Sequence, residues 1–555
     1  MIKANVDYSL YLVTDSTPAI LGDKDICQVV EKALKGGVTI VQYRDKTSDT
    51  GVLVETAKKL HSITSKYNVP LLINDRLDVA LAVGCEGVHI GQDDLDLASA
   101  RTLLGNDAII GVTVSNAEEA DAACKTGAIF GADYLGIGTV FATPTKENTK
   151  SIIGVEGLQQ ILIHLDKVES PVKTVCIGGI NATNTSRVIW QSRTPTSRSL
   201  DGVAVVSAIM AAPDPESSSR ELLKLVKIPP VFARHALSPA QQSRSPADLL
   251  ALVPEVIRAI HAKKPLSHNM TNLVVQNFAA NVALCVGASP IMANYGEEAA
   301  DLARLGGALV VNMGTVTPDG LANHLQALRA YNDAGQPVVF DPVGAGATAV
   351  RRAATKTILN AGYIDVLKGN TSEILSCLPL PSPSTSSHPG QEPLEQRQQH
   401  GVDSTPSTLP LPYLTASLSR LANLRHATVV MTGATDYITT ASSSSSSPSP
   451  NTIYTTTNGH PLLSSVTGTG CALATAISAA LAAYPHDQLA ATLAALLSYN
   501  IAAELTAERP DVRGPGTFVP AFLDELARVR SMTVSGDLGW LQRARLSVVV
   551  AGAGE

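Results

Sequence analysis

Through roughly the first 220 residues, short apolar runs alternate with amphipathic stretches. Eight of the runs read as strands: YSLYLVTD, VTIVQYRD, PLLINDR, GVHIGQ, AIIGVTVS, DYLGIGTVF, KTVCIGGI and GVAVVSAI. They are almost continuously apolar, as strands covered on both faces must be. Between them, segments such as GVLVETAKKLHSITSKY space their apolar residues for one face of a helix. Eight strand–helix units in one block of chain predict a TIM (β/α)8 barrel.

Beyond residue 247 the rhythm changes. Helical patterns PADLLALVPEVIRAIHA and NFAANVALCVG precede the strand runs GALVVNMGT, QPVVFDPVG, YIDVLKGN and ATVVMTG, and a long Ala-rich helical region follows VTGTGC. This predicts a second α/β domain, layered and doubly wound. Between the two lies IPPVFARHALSPAQQSRS, rich in Pro and Ser and without a sustained period. The predicted division is a barrel over 1–227, a linker over 228–246 and a second domain over 247–532. Two low-complexity tracts in the second domain, 378–412 and 441–450, predict disordered surface insertions, because such sequences cannot bury enough apolar area to offset the entropy of ordering. The tail, 533–555, carries no pattern that predicts a role.

Composition narrows the partners. A chain of 555 residues with 45% apolar and 16% charged residues is globular and too long for one core. Its 42 Lys and Arg against 49 Asp and Glu, a net charge of −7, leave no basic surplus for a nucleic acid backbone. Small anions need only a few local groups and stay open as ligands. Seven cysteines scattered singly, with no CxxC pair, fit free thiols and a cytoplasmic setting. The start MIKANVDYSLYLVTD has no signal-peptide pattern. No uninterrupted apolar stretch approaches the roughly 20 residues that cross a membrane, so no membrane association is expected.

In a parallel barrel, chemistry sits where strands end. Here the strand ends carry Gln42-Tyr43-Arg44-Asp45-Lys46, Asn74-Asp75-Arg76, Gly91-Gln92-Asp93-Asp94, Thr143-Pro144-Thr145-Lys146, Gly178-Gly179-Ile180 and Val206-Ser207. Asp75 and Asp94 are hard oxygen donors suited to Mg²⁺, and Arg44 and Lys46 supply cations, a set that suits a pyrophosphate. Gly179, Val206 and Ser207 offer backbone amides for a monophosphate after strands seven and eight. Alone, an Arg-Asp-Lys run is usually a solvated turn, and Asp75 could merely cap a helix. Six of eight strand ends carrying such groups makes the functional reading the stronger one.

The series YLVTD, QYRDK, IND, GVHIGQDD, TPTK, IGGI and VVSAI resembles thiamine-phosphate synthase, in order, over nearly all of residues 8–227. The resemblance implies condensation of a hydroxymethylpyrimidine diphosphate with a thiazole phosphate, giving thiamine monophosphate and pyrophosphate. It implies that Gln42, Tyr43, Arg44, Asp45, Lys46, Asn74, Thr113 and Lys146 contact the pyrimidine diphosphate. Asp75 and Asp94 would bind Mg²⁺, and Thr143, Pro144, Thr145, Gly179, Val206 and Ser207 would hold the thiazole phosphate. Arg44 and Lys146 are the expected catalytic cations. Thr113 replaces a frequent Ser and keeps its hydroxyl; Tyr43 replaces a more usual aliphatic residue or Phe.

In the second domain, Gly468-Thr469-Gly470-Cys471 opens a helix, where backbone amides and the helix dipole favour an anion. No GxxxxGK[ST] occurs, which disfavours a P-loop kinase. Upstream, Asp341 and Glu373 could position Mg²⁺ directly or through water, and Lys368 and Thr432 could meet nucleotide phosphates. A lone cysteine is more often a small buried hydrophobe, and small residues opening an Ala-rich helix often serve only packing. Together, SPIMANYGEEA, NMGT, DPVGAGAT, LKGNTSEI, GVDS, MTG and VTGTGC resemble hydroxyethylthiazole kinase of the ribokinase-like group, over about 247–530 apart from the tracts. That implies ATP and Mg²⁺, a homo-oligomer built on this domain, thiazole contacts from Met292 and Gly468, ATP contacts from Lys368 and Thr432, and an active-site Cys471. Lys368 stands where some members carry Arg, which loses the bidentate fork. A thiol at a helix N-terminus is expected to have a lowered pKa and to accept a proton late. Two alternatives stay open: a kinase for another small alcohol, and a ligand-binding sensor without turnover.

Overall fold

The computed structural model describes residues 5–124, 131–143, 152–196, 198–233, 244–379, 409–441 and 451–550. The chain divides into two compact units, Met1–Pro230 and Val231–Glu555.

In the first unit, β1 (Leu10–Val13), β2 (Ile40–Tyr43), β3 (Leu71–Asn74), β4 (Gly87–Ile90), β5 (Ile109–Val114), β6 (Tyr134–Ile137), β7 (Lys173–Ile177) and β8 (Gly202–Val205) close into a parallel barrel. β8 pairs back on β1 through Leu10↔Val203 and Leu12↔Val205. Alternation along each strand divides two cores. Tyr11, Val13, Ile40, Leu72, Ile109 and Tyr134 fill the barrel interior. Leu10, Leu12, Val41, Tyr43, Leu71 and Ile73 face outward and pack with helix residues such as Leu53, Ala57 and Leu60. Burial on both faces is why the strands lack a polar period. Two glycines make room inside the barrel. A Cβ at Gly111 would strike the Tyr134 ring, and one at Gly136 would lie 2.9 Å from His89 Cε1.

The second unit is a nine-stranded sheet in the order β10-β9-β11-β12-β13-β14-β15-β16-β17. β9 (Leu266–Met270), β10 (Ser289–Ile291), β11 (Ala308–Asn312), β12 (Val338–Asp341), β13 (Val366–Asn370) and β14 (Thr428–Thr432) are parallel. β15 (Asp436–Thr439), β16 (Thr452–Thr456) and β17 (Leu546–Val550) add antiparallel strands. Helices Pro246–Lys263, Gln276–Val286, Thr469–Ala483, Gln488–Ala507 and Pro515–Ser535 build the core on one face. Helices Ala299–Arg304, Pro318–Ala334, Ala349–Ala361 and Leu411–Arg425 build the other. The chain lays β10 on one side of β9 and β11 on the other. The sheet therefore changes winding direction beside β9, the place where open α/β sheets form a crevice beyond their carboxyl ends.

Four segments take places that the sequence pattern left open. The helix Gln488–Ala507 is long and apolar enough, by length and composition, to cross a membrane, but most of it is buried in the second unit's core. Its Ser, Tyr and Asn interrupt any continuous apolar run while leaving the mean hydropathy high. The helix Leu411–Arg425 starts inside the first low-complexity tract, of which 380–408 lie outside the described residues, as do 442–450 of the second tract. Residues 228–246 are not uniformly loose: Phe232 is buried and stacks on Tyr363 with ring centroids 4.9 Å apart. The tail also has a structural place. β17 pairs with β16, and buried Trp540 donates from Nε1 to Thr533 Oγ1 at 2.9 Å.

Candidate active sites

Since all eight barrel strands run parallel, their carboxyl ends share one rim. From β2, Gln42 points inward, buried at 3% exposure, where Tyr11 Oη donates to its Oε1 at 2.9 Å. Gln42 Nε2 in turn donates to Asn74 Oδ1 at 2.7 Å. Arg44 is placed by its backbone N–H, which donates to Thr14 Oγ1 at 3.0 Å, and its guanidinium lies 3.5 Å from Asp15. Lys46 Nζ pairs directly with Asp75 Oδ2. Asp75 itself sits in the left-handed region, φ +55°, with its amide donating to His89 O at 2.9 Å. Asp94 Oδ2 accepts from Gly91 N at 2.7 Å.

A buried polar chain continues below the rim. Tyr11 Oη lies 2.7 Å from Tyr134 Oη, which lies 2.8 Å from His89 Nδ1, and His89 Nε2 lies 2.8 Å from Thr113 Oγ1. Burial pushes both phenols up, so they stay protonated at neutral pH.

Across the rim, Gly178 and Gly179 take φ of +105° and +65°, and Asn184 Nδ2 donates to Gly179 O at 2.9 Å to hold that turn. A Cβ at Gly179 would lie 2.8 Å from Phe141 Cβ and Ala142 O, beside Thr143 in sequence. Val206 precedes the four-residue helix Ser207–Met210, whose first amides have no partner within the helix. Lys24 Nζ holds the other end through Met210 O and Ala212 O, at 3.0 and 2.8 Å.

Two of the expected contact residues have side chains engaged elsewhere, and three lie outside the described residues. The Tyr43 side chain turns into the strand–helix layer, because its neighbour Gln42 occupies the inward alternation. Asp45 spends its carboxylate on its own turn, accepting from Thr47 N at 2.9 Å, Ser48 N at 3.1 Å and Ser48 Oγ at 2.8 Å. Pro144, Thr145 and Lys146 lie outside the described residues.

In the second unit the predicted groups converge at the carboxyl ends of β9 and β11–β14. Asp341, ending β12, is fully buried and accepts from Lys368 Nζ at 3.2 Å and Asn312 Nδ2 at 2.8 Å. Burial raises the Asp341 pKa, and the Lys368 ammonium opposes the rise. For Lys368, burial acts to lower the pKa, but Asp341, Cys471 and Glu373 outweigh it, so it stays a cation. Glu373 accepts from Gly344 N and Asn370 N, both at 2.8 Å, and burial followed by Asp341 repulsion raises it too. Thr432 Oγ1, ending β14, donates to Gly369 O at 3.3 Å. Asp436, pushed up to about 6 by burial, accepts from Gly433 N and so holds the Met431-Thr432-Gly433 turn.

Gly468 caps the helix Thr469–Ala483 with φ +86°, and a Cβ there would meet Val275 Cγ2 at 2.6 Å. A Cβ at Gly470 would face Lys368 Nζ at 3.4 Å, so the ammonium stands against the opening turn of this helix. Cys471 sits in the same turn, and Asn272 Nδ2 bridges its Sγ at 3.5 Å and Asn312 Oδ1 at 3.0 Å. Met292, just past β10, is partly buried and packs against the helix core on that face. The expected low thiol pKa is overturned: burial, then the neighbouring Asp341, push Cys471 up to about 12. Desolvation and a carboxylate outweigh Lys368 and the hydrogen bond to Asn312.

Residues 10–209 match Thiamine monophosphate synthase, and residues 257–531 match the Hydroxyethylthiazole kinase family. The "Probable thiamine biosynthetic bifunctional enzyme" of Schizosaccharomyces pombe is 41% identical over 98% of this chain and 99% of its own length. The "Thiamine biosynthetic bifunctional enzyme" of Saccharomyces cerevisiae is 34% identical over 94% of this chain and 96% of its own. The chain belongs to this bifunctional thiamine biosynthetic family. Its barrel half alone is 41% identical to the "Thiamine-phosphate synthase" of Clostridium novyi, over that protein's whole length. It is an enzyme with a thiamine-phosphate synthase domain and a hydroxyethylthiazole kinase domain.

Several site residues of the synthase and kinase domains went unmarked in the sequence. Tyr11 and Asp15 lie in YLVTD and His89 in GVHIGQDD, where a polar residue inside an apolar strand was the available signal. Asn272 and Asn312 act through each other over 40 residues of chain, and no spacing reveals such a pair.

Proposed function

We propose that the synthase domain joins 4-amino-2-methyl-5-(diphosphooxymethyl)pyrimidine to 4-methyl-5-(2-phosphoethyl)thiazole, giving thiamine monophosphate and pyrophosphate. The kinase domain phosphorylates 4-methyl-5-(2-hydroxyethyl)thiazole with ATP and so supplies the second substrate. The observation that supports this most is the barrel rim, which brings a cation–carboxylate cluster for a diphosphate and a glycine turn suited to a monophosphate to one mouth.

At that mouth the methylene–oxygen bond to the diphosphate breaks and a bond to the thiazole nitrogen forms. Arg44 and Lys46, together with Lys146 as the resemblance implies, take the charge that grows on the leaving group. The Gly178-Gly179 turn and the amides at Ser207 seat the thiazole phosphate, which positions its ring nitrogen. Asp75 and Asp94 fit Mg²⁺. They supply two carboxylates, a donor set that suits an ion keeping waters and phosphate oxygens. Bound there, Mg²⁺ supplies positive charge to the diphosphate oxygens.

In the kinase domain, Lys368 and the amides of the helix opening at Thr469 stabilise the transferring phosphoryl group. Both Glu373 oxygens already accept backbone amides, so Asp341 and Glu373 fit a metal held through water rather than directly. The Cys471 thiol stays protonated at neutral pH. It does not act as the base, and a loose phosphoryl transfer needs little early proton removal. A cytoplasmic homo-oligomer built on this domain completes the reading, with exposed Leu273 and Val274 near the site as the surface to cover.

The test supplies hydroxyethylthiazole, ATP, Mg²⁺ and the pyrimidine diphosphate together and looks for thiamine monophosphate. Product that forms only with ATP, or without ATP when thiazole phosphate is given, supports both halves. No product from thiazole phosphate and pyrimidine diphosphate sinks the synthase reading. Sedimentation of a monomer would reject the oligomer.

A further inference from the structure

The buried chain beneath the synthase rim has a direction, and we propose that this direction makes it a reader of the pyrimidine's amino group. The inference rests on the synthase reading above.

Each tyrosine hydroxyl has one proton to give. Tyr11 gives its proton to Gln42 Oε1, whose amide is oriented by donating from Nε2 to Asn74 Oδ1. At the 2.7 Å contact between the phenols, Tyr134 must therefore be the donor. With its only proton spent, Tyr134 Oη accepts from His89, so the imidazole carries its proton on Nδ1. The neutral ring then offers a lone pair at Nε2, and the Thr113 hydroxyl donates to it at 2.8 Å. The result is a single polarity running from Thr113 to Asn74 through four intervening side chains on β1, β2, β4 and β6. Thr113 is left with lone pairs only, and Asn74 with an N–H₂.

A hydroxyl that can only accept suits a ligand amine and rejects a carbonyl at the same place. Thr113 thus accepts from the exocyclic amine of the pyrimidine. His89, Tyr134 and Tyr11 are positioning residues: they set the sign of a hydrogen bond made by Thr113. The barrel is built around them, since Gly111 and Gly136 lack side chains where the Tyr134 and His89 rings lie.

The test compares the aminopyrimidine diphosphate with its 4-oxo counterpart as dissociation constants, measured for both by competition binding. The wild-type enzyme is expected to favour the amine by about 100-fold. Tyr134→Phe removes the acceptor for His89 Nδ1–H, which frees the imidazole to place its proton on Nε2 and turn Thr113 into a donor. Discrimination should then fall at least tenfold, mostly by tighter binding of the 4-oxo compound. Tyr11→Phe, which frees Tyr134 to reverse, should act in the same direction and covers the case in which Tyr134→Phe fails to fold. If either folded variant weakens both ligands equally, or if wild-type enzyme prefers the 4-oxo compound, the assigned polarity is wrong. Turnover of the amine by wild-type enzyme keeps this outcome separate from failure of the synthase reading.

Discussion

The two sites use charge in opposite ways. At the barrel rim the Lys46 side chain is 50% exposed and its partner Asp75 16%, whereas in the kinase pocket Lys368 and Asp341 are 4% and 0% exposed. The rim groups keep much of their hydration, so on the proposed reading the diphosphate completes the electrostatics. The kinase groups were desolvated when the protein folded, so the pocket is organised beforehand and its charges depend on one another. A preorganised site avoids reorganisation during reaction, at a cost in stability when any member is lost.

Exchanging one lysine at each site should separate these cases most widely. Lys368→Met leaves Asp341 and Glu373 facing each other in a buried pocket. We expect about 3–5 kcal/mol of destabilisation and roughly a 1,000-fold loss of kinase turnover, with synthase turnover unchanged. Lys46→Met should cost under about 1 kcal/mol of stability while lowering synthase turnover by roughly 100-fold. Thermal melts and separate assays of the two reactions would measure both, and a Lys46→Met melt as damaged as that of Lys368→Met would break the contrast.

Within the kinase pocket, Gly470→Val drives a branched side chain toward Lys368 Nζ and should reduce kinase turnover by roughly 100-fold or more. Cys471→Ala should stay within about tenfold of wild type, with a pH–rate profile of the same shape, because a thiol held near 12 does not titrate in the working range. A limb of the profile that vanishes in Cys471→Ala would restore the thiol as a base.

The tail carries the next effect. Trp540→Ala should remove about 3 kcal/mol from the kinase unit by leaving a cavity beside Thr533 and Val529, without touching synthase activity.

The smallest effect is one of pH. Asp365, the residue just before β13, accepts from Val338 N at 2.8 Å and Gln488 Nε2 at 2.6 Å, and burial pushes it up to about 7. A carboxyl raised above its unfolded value near 3.8 favours folding while protonated. Its contribution is full below about pH 4 and is lost as pH rises toward 7, with a slope of about 1.4 kcal/mol per unit within that window. Asp365→Asn should flatten that slope, as followed by urea midpoints between pH 4 and 7. An unchanged slope would show the carboxyl to be ionised throughout.

The barrel was more legible in the sequence than the second unit. Each of its strands is buried on both faces and reads as an apolar run, and each predicted run holds one observed strand. In the second unit, β9 reads LSHNM and β17 lies in a tail beyond the family match, so neither showed as an apolar run between turn signals. The β15–β16 pair is split by a low-complexity tract, which hid its hairpin pattern.

The same division holds at the sites. Residue types at strand ends pointed to anions, and Lys368, Asp341 and Glu373 were visible as chemistry-bearing groups next to loops. The state of each group was not visible, because it depends on neighbours remote in sequence. Cys471 illustrates this: its place at a helix N-terminus follows from the sequence, but its high pKa follows from burial beside Asp341, 130 positions away.

By itself, then, the order of apolar runs determined the barrel and the strands β11–β14 of the second unit, since burial on both faces writes itself directly into the chain. Which side chains face one another, which charges are dry and which way a hydrogen-bond chain runs were decided only by tertiary structure. Those properties depend on distance and solvent exclusion between residues that the linear sequence keeps apart.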